Sequence, residues 1–171
     1  MSEVSTWYER KFAFSFPAEV YPNVCARLRG TPARLEELLR GRTREILVSK
    51  PQEKWSAQEH AGHLLDLEPL WRARVEDYVA GSAELTVTDL QNRKTDKANY
   101  NAQLLETILA GLRNARAKLL SRAGELDSSL FSQAIPHPRL KTPMRLVDHL
   151  YFVAEHDDHH LARIWELVNG S

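Results

Sequence analysis

One cysteine in 171 residues removes a whole set of chemistries. Cys25 has no partner for an intramolecular disulfide, and a cysteine-rich metal site is excluded. With no activating neighbour evident, Cys25 reads as a packed thiol rather than a nucleophile. Net charge is missing too: 23 Lys and Arg balance 23 Asp and Glu, so no whole-molecule field draws nucleic acid or an anionic membrane. No apolar run reaches the roughly eighteen residues that a membrane span requires. The opening stretch, MSEVSTWYERKFAFSFP, lacks an apolar signal core, so a cytoplasmic address is expected. Repeats and low-complexity tracts are absent, and the length suits one domain over residues 1–171.

Strand signals are scarce, whereas helix punctuation is clear. GTPARLEELL offers Thr31 as N-cap and Pro32 at the first helical position, which predicts a first helix from there to about Val48. KWSAQEHAGHLL offers Ser56 with Glu59 three residues on, a capping box that opens a second helix ending near Gly81. DKANYNAQLLETILAGLRNARAKLL predicts the third. KTPMRLVDHLYFVAEHDDHHLARIWELVNG predicts the fourth, with Thr142 as cap, Pro143 at the first position and Gly170 as terminator. The expectation is an all-α four-helix bundle over residues 31–168, preceded by a leading segment, residues 1–30, that has room for a short helix.

The link between helices two and three, about residues 80 to 97, is longer than a hairpin needs. Extended, it reaches roughly 60 Å, whereas a helix of about 24 residues is about 36 Å long. It can return along the whole bundle and start helix three beside the start of helix two. The resulting order is up-down-down-up, with a long crossover and with helices two and four antiparallel.

The fourth helix carries a stripe of His149, Val153, His156, His160, Ile164 and Leu167, apolar except for its imidazoles. His156 and His160, one turn apart on an inward face, can grip a cation from one side. Core histidines hydrogen-bonded to neighbours are the alternative. A third ligand must come from the same depth. In an antiparallel second helix His63 comes level with the pair, on the stripe of Leu67 and Leu70. His149 lies about 10 Å further down, and His137 falls in the loop at the opposite end. His60 suits a supporting or a surface role, and Glu155, Asp158 and His159 lie further round, where water can reach them. Three neutral imidazoles leave a tetrahedral cation one open position, the arrangement of a catalytic site.

The segments KWSAQEHAGHLLDLEPLW and HPRLKTPMRLVDHLYFVAEHDDHHLARI resemble the two signature regions of the DinB-like superfamily, bacterial four-helix proteins described as metal-dependent enzymes. The family pattern is a tryptophan, an inward histidine eight residues later, and a late helix reading H-x-x-H-H-L-A-x-I. Trp55 and His63 match the first part; His156, His159 and His160 match the second. The resemblance implies metal ligation by His63, His156 and His160, the trio already singled out. It also implies a small-molecule substrate and two reaction types: thiol transfer, as in bacillithiol S-transferases and mycothiol-dependent isomerases, or hydrolysis. A low-molecular-weight thiol cosubstrate belongs to the first type. Imidazole suits zinc, nickel, iron and copper alike; zinc or nickel is the first expectation for the divalent cation, with iron next. A non-catalytic metal-binding bundle, or one that forms a homodimer through helix faces, is the alternative reading.

The expected topology gathers Arg42, Arg44, Lys50, Trp55, Arg93, Lys94, Asn99 and Asn101 at the histidine end, as a basic rim or as solvated helix ends. Glu59, Asp66 and Asp157 are all within reach of orienting an imidazole, and no general base stands out. Pro69, inside the second helix, removes one ladder bond and reads as a kink.

Overall fold

The computed structural model describes residues 4–170; residues 1–3 of the expected leading segment and residue 171 lie outside the described residues. Six helices follow in order: α1 (Tyr21–Leu39), α2 (Arg44–Val48), α3 (Ala57–Ala80), α4 (Arg93–Lys97), α5 (Leu105–Gly124) and α6 (Leu146–Asn169). The long ones, α1, α3, α5 and α6, form the bundle. No helix among the described residues is long and apolar enough to cross a membrane.

Side-chain pairs fix the directions. Glu68 meets Arg116 and Glu76 meets Arg122, so α3 and α5 run parallel. Trp71 packs on His149 while His63 packs on His160, so α3 and α6 are antiparallel. Thr31 meets Asp157 and Arg42 meets Val168, placing α1 parallel to α6. Arg113 bonds to Glu36 and Arg116 to Leu28, so α1 opposes α5. This is the up-down-down-up bundle.

The crossover runs back along α3, as its length requires. Arg74 Nε donates to the Thr86 carbonyl at 2.9 Å, Lys94 pairs with Asp66 at 3.0 Å, and Gln58 Nε2 donates to the Tyr100 carbonyl at 2.6 Å. Gly62 permits the last docking: a Cβ there would stand 2.2 Å from the Tyr100 ring.

Three helix starts depart from the sequence expectation. The first helix opens at Tyr21 with Pro22 in its first turn, so Thr31 and Pro32 lie inside it, and it ends at Leu39, with α2 a separate short helix. Pro32 cannot bond back to the Leu28 carbonyl. Arg116 Nη1 donates to that carbonyl instead, at 3.1 Å, which makes an interior proline tolerable. The expected third helix is broken: α4 ends at Lys97, a single 3-10 turn follows over Tyr100–Ala102, and α5 starts at Leu105. Asn99 interrupts it with φ at 50°, a left-handed conformation that asparagine tolerates. Finally, Pro143–Arg145 pairs antiparallel with Ala134–Pro136 as a small ribbon, β2 on β1, where strands were not expected. Thr142 therefore caps nothing. The fourth helix opens at Leu146, where the Asp148 carboxylate accepts from the Arg145 backbone N–H at 2.9 Å. The capping box at Ser56 and Glu59, the left-handed Gly81 and the terminator Gly170 stand as expected. Helix α3 continues through Pro69, which is exposed on its outer face.

The core is split. One apolar cluster includes Leu28, Trp71, Tyr78, Phe131, Leu146 and Val153; the other includes Leu35, Leu64, Ile108, Leu112 and Ile164. Between them lies a buried polar layer to which every long helix contributes: Thr31, Glu68, Arg116 and Asp157. Arg116 donates to Glu68 (Nε to Oε1, 2.9 Å) and to Asp157 (Nη1 to Oδ2, 2.6 Å), and Thr31 also donates to Asp157, at 2.7 Å. Burial pushes the Glu68 carboxyl up to about 7, although Arg116 beside it pulls the other way.

Candidate metal centre

His63 comes from α3 and His156 and His160 from α6, all three buried. One nitrogen from each ring lies within 4.8 Å of the others. His156 Nε2 and His160 Nε2 stand 3.2 Å apart. Nitrogens sharing a tetrahedral cation at about 2.0–2.1 Å are roughly 3.3 Å apart, so small ring rotations would complete such a set. Burial is the largest influence on each ring: it holds His63 down at about 4, and His156 and His160 well below the ordinary imidazole value. The rings are therefore neutral at physiological pH, the state that donates a lone pair to a metal. Donor type, spacing and protonation all fit a bound divalent cation.

The orientation of His63 is built from the crossover. Thr95 Oγ1 donates to Asp66 Oδ2 at 3.0 Å, so its oxygen accepts from His63 Nδ1, 3.1 Å away. That chain places the ring proton on Nδ1 and frees Nε2. Of the three acids within reach in sequence, Asp66 is the one that serves an imidazole, through Thr95. Glu59 caps α3 and pairs with Lys50, while Asp157 belongs to the Arg116 layer. Nothing in the crossover's sequence marks Thr95, because its role depends on a contact formed across 32 residues.

His60 is half-buried and takes the supporting role rather than a purely surface one. Its Nδ1 lies 2.8 Å from His160 Nδ1, and burial holds it at about 3. With His160 Nε2 free for a cation, His160 Nδ1 carries the proton and donates to His60. His156 packs against the rings of Trp7 and Trp71, at 5.0 and 5.6 Å, with Nδ1 buried and without a hydrogen-bond partner among the described residues. Trp55 covers His63 at 4.7 Å and its indole N–H donates to Asp96.

The acids of α6 are not merely solvated. Arg27 bonds to both Glu155 and Asp158, Arg34 to Asp158 at 2.7 Å, and Arg10 to Glu155. These pairs hold the leading segment and α1 against α6, so that Trp7 also lies over His159, at 5.7 Å. His159 itself is held at about 4, chiefly by burial. The expected basic rim does gather at the histidine end, but its charges are engaged: Arg42 on the end of α6, Arg44 on the Asn101 carbonyl, Lys94 on Asp66. Cys25 is half-buried and burial raises its thiol, which keeps it protonated.

A cavity of about 50 Å³ opens beside His63 and His156, walled by Trp71 and Phe152 and covered by Trp7 and Tyr8. At about 10–15 Å³ per water it admits a few waters or a small polar group.

The DinB superfamily model matches residues 27–164. The chain belongs to the DinB superfamily. It also superposes on a solved structure described as "YfiT from Bacillus subtilis is a probable metal-dependent hydrolase with an unusual four-helix bundle topology", with a TM-score of 0.81 and 20% identity. The alignment covers 93% of this chain and 91% of that one. At that identity the shared property is the fold. No curated protein matches the chain.

Proposed function

We propose that this DinB superfamily member is a metal-dependent enzyme acting on a small molecule, with one divalent cation held by His63, His156 and His160. The convergence of three buried, neutral imidazoles on one point carries this reading. Zinc or nickel is our first assignment and iron the next, although imidazole ligands accept copper equally. A cation with three imidazole ligands keeps a fourth position at which water or a thiol is acidified.

The chain's own residues supply the rest. Asp66 and Thr95 hold His63, His60 holds His160, and Trp7 and Trp55 limit the access of bulk water to the rings. Hydrolysis or thiol S-transfer, the latter with a low-molecular-weight thiol cosubstrate, would use the same site. The YfiT structure, described as a probable metal-dependent hydrolase, supports the hydrolytic reading; the apolar cavity walls suit a thiol equally. The test is elemental analysis of untagged protein, followed by turnover assays of the metal-loaded chain. One assay offers esters and amides, the other a thiol with an electrophile. One equivalent of metal with turnover in either assay supports an enzyme. Metal without turnover in both favours a non-catalytic metal-binding bundle.

A further inference from the structure

The cavity beside the histidines is lined also by Arg74, His137 and Arg139, with the Arg74 guanidinium over the Trp71 ring at 5.6 Å. Arg74 is almost wholly buried. Its Nε is used on the Thr86 carbonyl, and its Nη1 faces His137 Nε2 at 3.1 Å. His137 Nδ1 accepts from two backbone N–H groups, those of Arg139 at 3.2 Å and Leu140 at 3.1 Å. A neutral imidazole that accepts at Nδ1 carries its proton on Nε2. His137 Nε2 and Arg74 Nη1 are then both donors, facing each other with no acceptor between them.

Arg139 repeats the imbalance. Its guanidinium lies over the Tyr8 and Phe152 rings, and Nη2 is buried with no hydrogen-bond partner among the described residues. Neither arginine has a carboxylate within ion-pair distance among the described residues. The neighbouring acids are committed elsewhere: Asp77 accepts from the Thr86 amide, and Asp89 from the amides of Gln91 and Arg93. Burial lowers both guanidiniums, Arg74 to about 10; Arg74 is enclosed without a counter-charge, while Arg139 is half-buried with its Nη2 enclosed. Such an arrangement is costly unless an anion completes it.

We propose that Arg74, Arg139 and His137 bind an anionic oxygen group, carboxylate or phosphate, of the small molecule whose reactive group meets the histidine cluster. The proposal rests on the small-molecule reading above and narrows it to an acid. Guanidinium forks match both oxyanions, and a cavity of about 50 Å³ restricts the link between the anionic and the reactive group to a few atoms.

The test uses the full chain, metal-loaded and chelator-treated in parallel, at constant ionic strength. Acetate, inorganic phosphate and neutral acetamide are titrated separately while the indole N–H resonances of Trp7 and Trp71 are followed. Saturable shifts are expected with acetate, phosphate or both, and none with acetamide; the anion that saturates identifies the group. Arg139→Gln should weaken that binding roughly tenfold or more, the equivalent of one charged hydrogen bond. Should the glutamine variant not fold, Arg139→Lys, which keeps charge but loses the fork, should still weaken it. Absence of saturation in wild type, or equal affinity in a folded variant, overturns the proposal. Anion binding in a protein that takes up no metal would leave the arginine site standing and remove the metal reading. Metal uptake without anion binding would do the reverse.

Discussion

His63 Nδ1 lies 3.1 Å from Thr95 Oγ1, a contact that joins the first histidine of the cluster to the crossover between α3 and α5. Thr95 cannot touch a cation on the other ring nitrogen. It sets the tautomer and aim of the ring, and groups of this kind typically contribute about 10–100-fold to metal affinity. Thr95→Val should lower metal affinity by that order, and Thr95→Ser should restore most of it. Competition against a chromogenic chelator measures both. Unchanged affinity in Thr95→Val would show that packing alone orients His63.

The metal should be functional rather than the source of the fold, because two apolar clusters flank the histidines. His160→Ala is expected to lose stoichiometric metal while keeping its helical circular dichroism. His149→Ala, placed among Trp71 and Tyr78, should lower the melting temperature and keep one equivalent of metal. Melts with and without chelator at matched pH decide the point. Full unfolding on chelation at about 25 °C would mean a structural cation, as in domains whose folding energy is metal binding.

The layer of Thr31, Glu68, Arg116 and Asp157 is vulnerable at its centre. Removing one partner of a buried ionic network leaves uncompensated charge, at a cost of about 3–5 kcal/mol. Arg116→Met strands the Asp157 and Glu68 carboxyls and also the Leu28 carbonyl released by Pro32. Urea unfolding of the chelated protein should show a loss of this size, with the slope of the transition unchanged. A loss below about 1 kcal/mol would indicate that the layer relaxes or hydrates, as exposed pairs do.

Acid should destabilise the metal-free chain through histidines remote from the cluster as well as within it. His137 is held at about 3 and His149 well below its usual range, both chiefly by burial. Unfolded imidazoles titrate near 6.5, so the stability from keeping them neutral is complete above about that pH. It is lost as the pH falls towards their folded values, at up to about 1.4 kcal/mol per pH unit for each. Glu68 has the opposite sign. Its folded carboxyl near 7 lies above the unfolded value, so its contribution is full below about 4.5 and is lost as the pH rises through about 7. One carboxyl does not offset two or more imidazoles. The urea midpoint of chelated protein should fall between about pH 7 and 5, and His137→Asn should flatten that fall. A midpoint constant over the interval would mean these rings are solvated.

Periodicity and punctuation made much of this molecule legible from the chain alone. The capping box at Ser56 marks a helix start because its two hydrogen bonds close within four residues. The stripe of α6 identifies His156 and His160 as inward because helical spacing is a local property. The length of the 80–97 link implied parallel second and third helices, since chain reach depends on residue count alone. What stayed hidden was settled by contacts between segments far apart in sequence. Pro32 looks like a helix start until Arg116, 84 residues on, accounts for the carbonyl that it frees. Pro143 looks like another until Ala134–Pro136 offers it a strand partner. His60 joined the cluster, Thr95 aimed His63, and Arg10 drew Trp7 over His156, each through a hydrogen bond or ion pair that no local pattern encodes. Short-range hydrogen bonding and helical geometry wrote the elements into the sequence; packing decided which polar groups would be enclosed together, and so assembled the site.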